Sequence, residues 1–232
     1  MELRATFAKR AWPLARKKGV VKTLGLPQAL AAGQEETDLY FNFACSEFDD
    51  DDAEDVGQGL PKQLQSLRLS FRFCKNLGNK GATALATRWP SCLRSLDLSI
   101  YNTNVDHIGF AAIVANLPPT LRRFEIETSC QDIGDAGFAA FQFPESLEVL
   151  HLDTDGLGFT DDGIVAFLES LPASLHKLFW RMDFESCLTA EFFKTMDEGK
   201  VTAAFAALQA RLPNLEVQQA VDQMITAYKG LL

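Results

Sequence analysis

Three histidines in 232 residues leave little scope for imidazole chemistry, and His107, His151 and His176 do not share a position in the chain's internal pattern. Five cysteines, an odd number without a Cys-x-x-Cys pair, argue against a closed disulfide framework. They fit free thiols in a reducing compartment, so a cytoplasmic location is expected. Bases are outnumbered, 22 against 31 acids, giving a net charge of −9 and a pI near 4.9. An acidic body repels phosphate backbones, so no nucleic-acid partner is expected. The longest apolar runs, such as 110–115, are too short to span a bilayer. Residues 1–30 lack the continuous apolar stretch of a secretory signal. No Gly-x-Gly-x-x-Gly, phosphate loop, His-Glu-x-x-His or Gly-x-Ser-x-Gly is present. Neither enzymatic activity, a cofactor nor a metal is expected.

What the chain does have is a repeat. Leu-x-x-Leu-x-Leu recurs as Leu64/Leu67/Leu69, Leu93/Leu96/Leu98, Leu121/Phe124/Ile126, Leu147/Leu150/Leu152 and Leu175/Leu178/Trp180. Leu39 and Phe41 fit a degenerate copy before them. In phase with this, each unit carries a glycine, an apolar stretch and a proline: Gly81…Ala84-Leu85…Trp89-Pro90, Gly109…Ala112-Ile113…Leu117-Pro118, Gly137…Ala140-Phe141…Phe143-Pro144 and Gly163…Ala166-Phe167…Leu171-Pro172. The spacing i, i+3, i+4, i+8 predicts one helix face, with the proline ending the helix. A unit of strand, turn, helix and return cannot bury its apolar face alone, but stacked units form a continuous core. Cys45, Cys74 and Cys130 are expected in one slot in the turn after the strand, which holds Asn102 and Gly156 in other copies.

The pattern Leu-x-x-Leu-x-Leu…Cys/Asn-x-x-Ile-Gly-Asp-x-Gly-x-x-Ala resembles the leucine-rich-repeat family, its ribonuclease-inhibitor-like and cysteine-containing subtypes in particular. Ile133-Gly134-Asp135-Ala136-Gly137 and Phe159-Thr160-Asp161-Asp162-Gly163 are the best-matched turns. The resemblance implies an α/β fold: a short solenoid with a parallel sheet on the concave side, helices on the convex side and a helical C-terminal cap. It implies binding of proteins and leaves the partner open. Cys187, followed by Leu188 and Thr189, does not match the Cys-x-Asp nucleophile of bacterial ubiquitin ligases of this family.

Three regions follow: a basic segment or cap at 1–35, five to six repeats over 36–186, and a mainly helical cap at 187–232. Within the last, 188–212 reads as helix, Leu215 and Val217 as an edge strand, and Val221, Met224, Ile225 and Tyr228 as a closing helix. Residues 1–22 carry seven bases against Glu2 alone, with Leu3, Phe7, Ala11 and Leu14 at helical spacing. They read as a cap or tail, a mitochondrial targeting segment, or a peripheral docking helix. Asp49 to Asp52 fall between a strand and the next helix and read as a solvated loop, with a docking site for a basic partner as the alternative.

Odd positions of each strand point away from the core. The fifth positions place Tyr40, Arg68, Asp97, Glu125, His151 and Phe179 in a lateral row; Arg123 at a third position and Glu127, Asp153 and Arg181 at seventh positions flank it. Acids at the centre, bases and aromatics around them, make a candidate protein-binding face. The leading functional expectation is a non-catalytic interaction scaffold using this face. The alternatives are an accessory or assembly subunit of a larger, possibly mitochondrial, complex, and a ubiquitin-ligase substrate receptor.

Overall fold

The computed structural model describes residues 37–128, 133–155, 160–183 and 197–218. Strands and helices alternate: β1 (Asp38–Asn42), α1 (Asp50–Gly59), β2 (Ser66–Ser70), α2 (Asn79–Ala86), β3 (Ser95–Ser99), α3 (His107–Ala115), β4 (Arg123–Thr128), α4 (Gly134–Phe138), β5 (Val149–Asp155), α5 (Asp161–Ser170), β6 (Lys177–Asp183), α6 (Glu198–Arg211) and β7 (Glu216–Gln218). The strands form one seven-stranded sheet in sequence order, and every neighbouring pair is parallel. Helices pack on the helices that follow them, behind the sheet. This is a short leucine-rich-repeat solenoid. The expectations for residues 1–22, Cys130, Gly156, Phe159, Cys187 and 221–228 lie outside the described residues.

The repeat leucines build the core. Leu64, Leu67, Leu69, Leu93, Leu96, Leu98, Leu121, Leu147, Leu150, Leu152 and Leu178 are buried, as are Phe124, Ile126 and Trp180 in the same positions. Aromatic rings fill two stretches of the core. Phe43 and Phe71 lie parallel with centroids 5.6 Å apart, capped by Phe48; further on, Phe138 and Phe167 pack edge-on at 5.4 Å beside Trp180. The indole of Trp180 donates to Thr154 Oγ1 at 3.1 Å, so its one polar group is satisfied in the core.

The prolines carry a repeated turn. The carbonyls of Pro61, Pro90, Pro118, Pro144 and Pro172 accept the N–H of Leu64, Leu93, Leu121, Leu147 and Leu175 at 3.0–3.2 Å. Leu212 and Leu215 form the same turn ahead of β7, the strand expected at Leu215 and Val217. Before four of the first leucines, Leu93, Leu121, Leu147 and Leu175, sits a small donor. Cys92 Sγ, Thr120 Oγ1, Ser146 Oγ and Ser174 Oγ donate to carbonyls of the preceding unit.

A second ladder joins the helix N-termini. The Asp50 carboxylate accepts the N–H of Gly78 at 2.7 Å and of Gly81 at 3.0 Å; Asn79 Oδ1 accepts those of Asp106 and Gly109 at 3.0 and 3.1 Å. Asp135 does the same for Thr160 N–H at 2.7 Å. The glycines are required by this reach: a Cβ on Gly81 would stand 2.6 Å from Asp50 Oδ1, and one on Gly109 2.5 Å from Asn79 Oδ1.

Three expectations need correction. The buried helix face is the glycine and the residues one, four and five beyond it, as in Gly81/Ala82/Leu85/Ala86 and Gly163/Ile164/Phe167/Leu168. Ala84, Ala112 and Ala140 are half-buried and Ala166 is exposed, because the glycine already faces the preceding helix and turns the apolar stripe onward by a residue. Cys45 and Cys74 do not share a slot. Cys45 has φ 58, as do Phe73 (61) and Asn102 (57) three residues past their strands, and Cys45 is exposed there. Cys74 is one position later, buried, its thiol donating to Phe43 O at 3.0 Å; burial pushes that thiol up from its ordinary range. Finally, Asp49 to Asp52 are not a loop. Asp49 is the N-cap of α1, accepting from Asp51 and Asp52 N–H, and Asp52 returns a bond from Asp49 N–H at 3.1 Å. Carboxylates suit this place because orphan amides and the positive end of the helix dipole meet there.

Candidate functional site

The alternation of each strand decides which side chains reach the open face of the sheet. With Leu67, Leu69, Leu96, Leu98, Phe124 and Ile126 buried, the residues between them face outward. Register then sets the rows. Tyr40 pairs with Arg68, Arg68 with Asp97, Asp97 with Glu125, Glu125 with His151 and His151 with Phe179, so the six fifth-position residues form one continuous row. Glu127, Asp153 and Arg181 line up beside it, and Arg123 lies two residues before Glu125. All ten candidate residues therefore stand on one surface.

On that surface the charges are already engaged. Arg68 Nε pairs with Asp97 Oδ2. Glu125 takes Arg123 Nη2 on one oxygen at 2.9 Å and faces His151 Nδ1 with the other at 3.3 Å. Arg181 holds Asp153 through two nitrogens, each at 3.1 Å. Asp97 is half-buried, and that burial, reinforced by Glu125, raises its carboxyl above the ordinary range although Arg68 pulls the other way. Aromatic rings close the row at each end: the Arg68 guanidinium lies 5.7 Å from the Tyr40 centroid, and Phe179 stands edge-on to His151 at 4.0 Å. At the centre is an open depression of about 250 Å³, lined by Asp97, Glu125, Ile126, Glu127, His151, Asp153 and Phe179.

One cluster escaped sequence reasoning. Arg72, just past β2, pairs with Glu127 and stacks on Tyr101 at 4.7 Å, beside Phe73; Ser99 Oγ donates to the other Glu127 oxygen at 2.6 Å. Phe73 and Tyr101 meet edge-on at 5.5 Å. The signal for it was faint, since these residues follow the strand, where alternation no longer predicts direction. Among the described residues no group of three or more histidine, cysteine or carboxylate side chains is placed to hold a metal ion. Among them, too, no helix is long and apolar enough to cross a membrane.

No family model and no curated protein matches the chain. Solved structures similar to it include the leucine-rich repeat-containing protein LegL7 from Legionella pneumophila, with a TM-score of 0.48 and 14% identity over 88% of this chain and 62% of that one. A chain of the Rad7 and Elc1 complex in yeast gives 0.42 and 17% over 93% and 60%. The chain spans about three fifths of the length of either structure.

Proposed function

We propose that the protein is a non-catalytic scaffold that binds a protein partner through the concave face of its sheet. The observation that carries this reading is the continuous row from Tyr40 to Phe179, six strands wide. Its arginines and carboxylates are held in place before any partner arrives by the pairs of Arg68, Arg123 and Arg181. Preorganised arginine and aromatic side chains lose little freedom on association, which favours affinity. An open sheet face favours recognition over chemistry, because it does not exclude water from a reacting group. The repeats, each with a helix behind the strand, support the ribonuclease-inhibitor-like subtype, and the free Cys45, Cys74 and Cys92 support a cytoplasmic location.

The test is affinity purification from native extract with the wild-type chain and with Asp97→Lys/Glu125→Lys/Asp153→Lys. The partner should be lost while the thermal midpoint is kept. A partner retained by the variant would overturn the assignment of the concave face.

A further inference from the structure

We propose that Cys45 and Cys74 are a peroxide-sensitive thiol pair, closing into a disulfide that clamps the first repeat to the second. The two units meet in register beyond their strands. Phe43 N–H donates to Ser70 O at 2.8 Å and Cys45 N–H to Arg72 O at 2.7 Å, so the β1–β2 pairing continues into the turns. Cys45 and Phe73 hold equivalent places, left-handed at φ 58 and 61, and Ser46 and Cys74 hold the next. Ser46 Oγ and Cys74 Sγ lie 3.6 Å apart, so these equivalent residues touch. Cys45 and Cys74 are therefore diagonal neighbours. Parallel chains stand about 4.8 Å apart and rise about 3.3 Å per residue, which places diagonal Cα atoms about 6 Å apart. A disulfide bridges Cα atoms separated by about 4.4–6.8 Å. The Arg72 carbonyl lies between the two residues, accepting Cys45 N–H and standing 4.0 Å from Cys74 Sγ.

The two thiols differ in the way that such a pair requires. Cys45 is exposed and meets a small oxidant first; Cys74 is buried, its thiol donating to Phe43 O at 3.0 Å. Burial keeps the Cys74 thiol protonated above its ordinary range, and the nearby Cys45 adds to that shift, so Cys74 does not compete for the oxidant. Hydrogen peroxide oxidises the Cys45 thiol to a sulfenic acid, its O–O bond breaking and one water leaving. The Cys74 sulfur then attacks the Cys45 sulfur. The S–O bond breaks, the hydroxyl departs with the Cys74 proton as a second water, and the S–S bond forms. Peroxide is reduced and the two thiols are oxidised by two electrons together. For this step the Cys45 side chain turns inward as its left-handed backbone relaxes to an ordinary φ, and Cys74 releases the Phe43 carbonyl. Thiol exchange with a reducing pool reopens the bond. While closed, it joins the turns that lead into α1 and α2 and resists their separation.

The experiment treats the full chain with sub-millimolar hydrogen peroxide, blocks the remaining thiols with N-ethylmaleimide and reads a non-reducing digest by mass spectrometry. The expected product is a peptide pair joining Cys45 to Cys74 within a monomer, lost on adding dithiothreitol. Cys92, ahead of β3 at the other end of the strands, should remain in its maleimide form. Cys45→Ser, a change at an exposed position, should leave Cys74 unoxidised. Cys74→Ser should trap Cys45 as the sulfenic acid, seen as a dimedone adduct several-fold more abundant than in the wild-type chain. Amide hydrogen exchange at residues 43–48 and 71–77 should slow on oxidation and recover on reduction. A Cys45 bond to another copy or to any other cysteine, or Cys45 sulfinic acid beside a free Cys74 thiol, overturns the inference. So does a Cys45–Cys74 bond that forms only in urea, or one that leaves the exchange unchanged.

Discussion

Helix α1 satisfies its first turn from within, α2 borrows from the helix before, and α3 does both. In α1 the acceptors are Asp49 and Asp52, two residues of the same turn. In α2 and α3 they include Asp50 and Asn79, each one repeat upstream, and α3 adds its own Asp106, which accepts from Ile108 N–H at 2.7 Å. The third helical residue records the difference: Asp52 in α1, glycine at 81 and 109 in the others. A helix that borrows must let a neighbour's side chain come close, and only glycine leaves that space. In α1, where no described residue reaches in from upstream, a side chain stands at the same position. The lesson is that repeat position alone does not fix residue type; how closely a neighbour's side chain approaches does.

Six variants, one of them followed over pH, break or sharpen this comparison. The largest effect is expected from Gly109→Ala, whose Cβ would meet Asn79 Oδ1 at 2.5 Å and Val105 Cγ1 at 2.8 Å. A loss of about 2–3 kcal/mol should appear in urea unfolding. A neutral result would mean that the close approach is not needed.

Asp50→Ala leaves two amides of α2 without their acceptor and should cost about 1–2 kcal/mol. Asp50→Asn should restore most of it, because Asn79 performs the same task one repeat on. Equal losses for the two variants would assign the effect to charge instead of to the hydrogen bonds.

The self-capped turn should also show itself in pH. Burial pushes Asp52 up to about 6, so the fold holds its proton more tightly than the unfolded chain does. Its contribution is fully present below the ordinary carboxylate pKa near 4 and is lost as pH rises through about 6. Asp97 is shifted in the same direction by its burial. Asp106 is shifted oppositely, lowered by its hydrogen bond with Asn79. Asp52→Asn should flatten the fall in stability between pH 4 and 6, measured by urea titration at several pH values. An unchanged slope would show that Asp52 does not carry it.

Smaller still, Cys45→Asn should gain up to about 1 kcal/mol, since Asn tolerates the left-handed backbone and the exposed thiol gives up little packing. A loss would show that the thiol has a role beyond its slot. Last, Glu125→Gln/Asp153→Asn should move stability by no more than about 0.5 kcal/mol, because its ion pairs are partly solvated. A larger loss would make the face part of the folding core.

The strands, their order and the outward row were legible because two independent periods, that of the repeat and that of the strand, agree at every unit. Register followed from the leucines, so Asp97, Glu125 and His151 could be aligned without coordinates. The turn was harder. Cys74 lies five residues after Leu69 while Cys45 lies four after Phe41, and that single residue separates an exposed left-handed position from a buried hydrogen-bonded one. The acidic run was misplaced because composition favours solvent there, while the cap geometry that uses it depends on backbone N–H groups no sequence displays. The donors at Cys92, Thr120, Ser146 and Ser174 share a place before the first leucine of four units, yet hydroxyl and thiol look unrelated until their acceptors are known. The depression was not foreseen, since its walls depend on which way each arginine leans.

Both ladders point the same way along the chain. In the first, the side chain that reaches a helix N-terminus belongs to the unit before it, as Asp50 serves Gly81, Asn79 serves Gly109 and Asp135 serves Thr160. The small donors likewise reach back to carbonyls of the previous unit. A polypeptide emerging from the ribosome, N-terminus first, thus meets each receiving group already in position when the group that needs it arrives. The solenoid is in this sense written in the direction of its own synthesis, each finished unit serving as the template on which the next is closed.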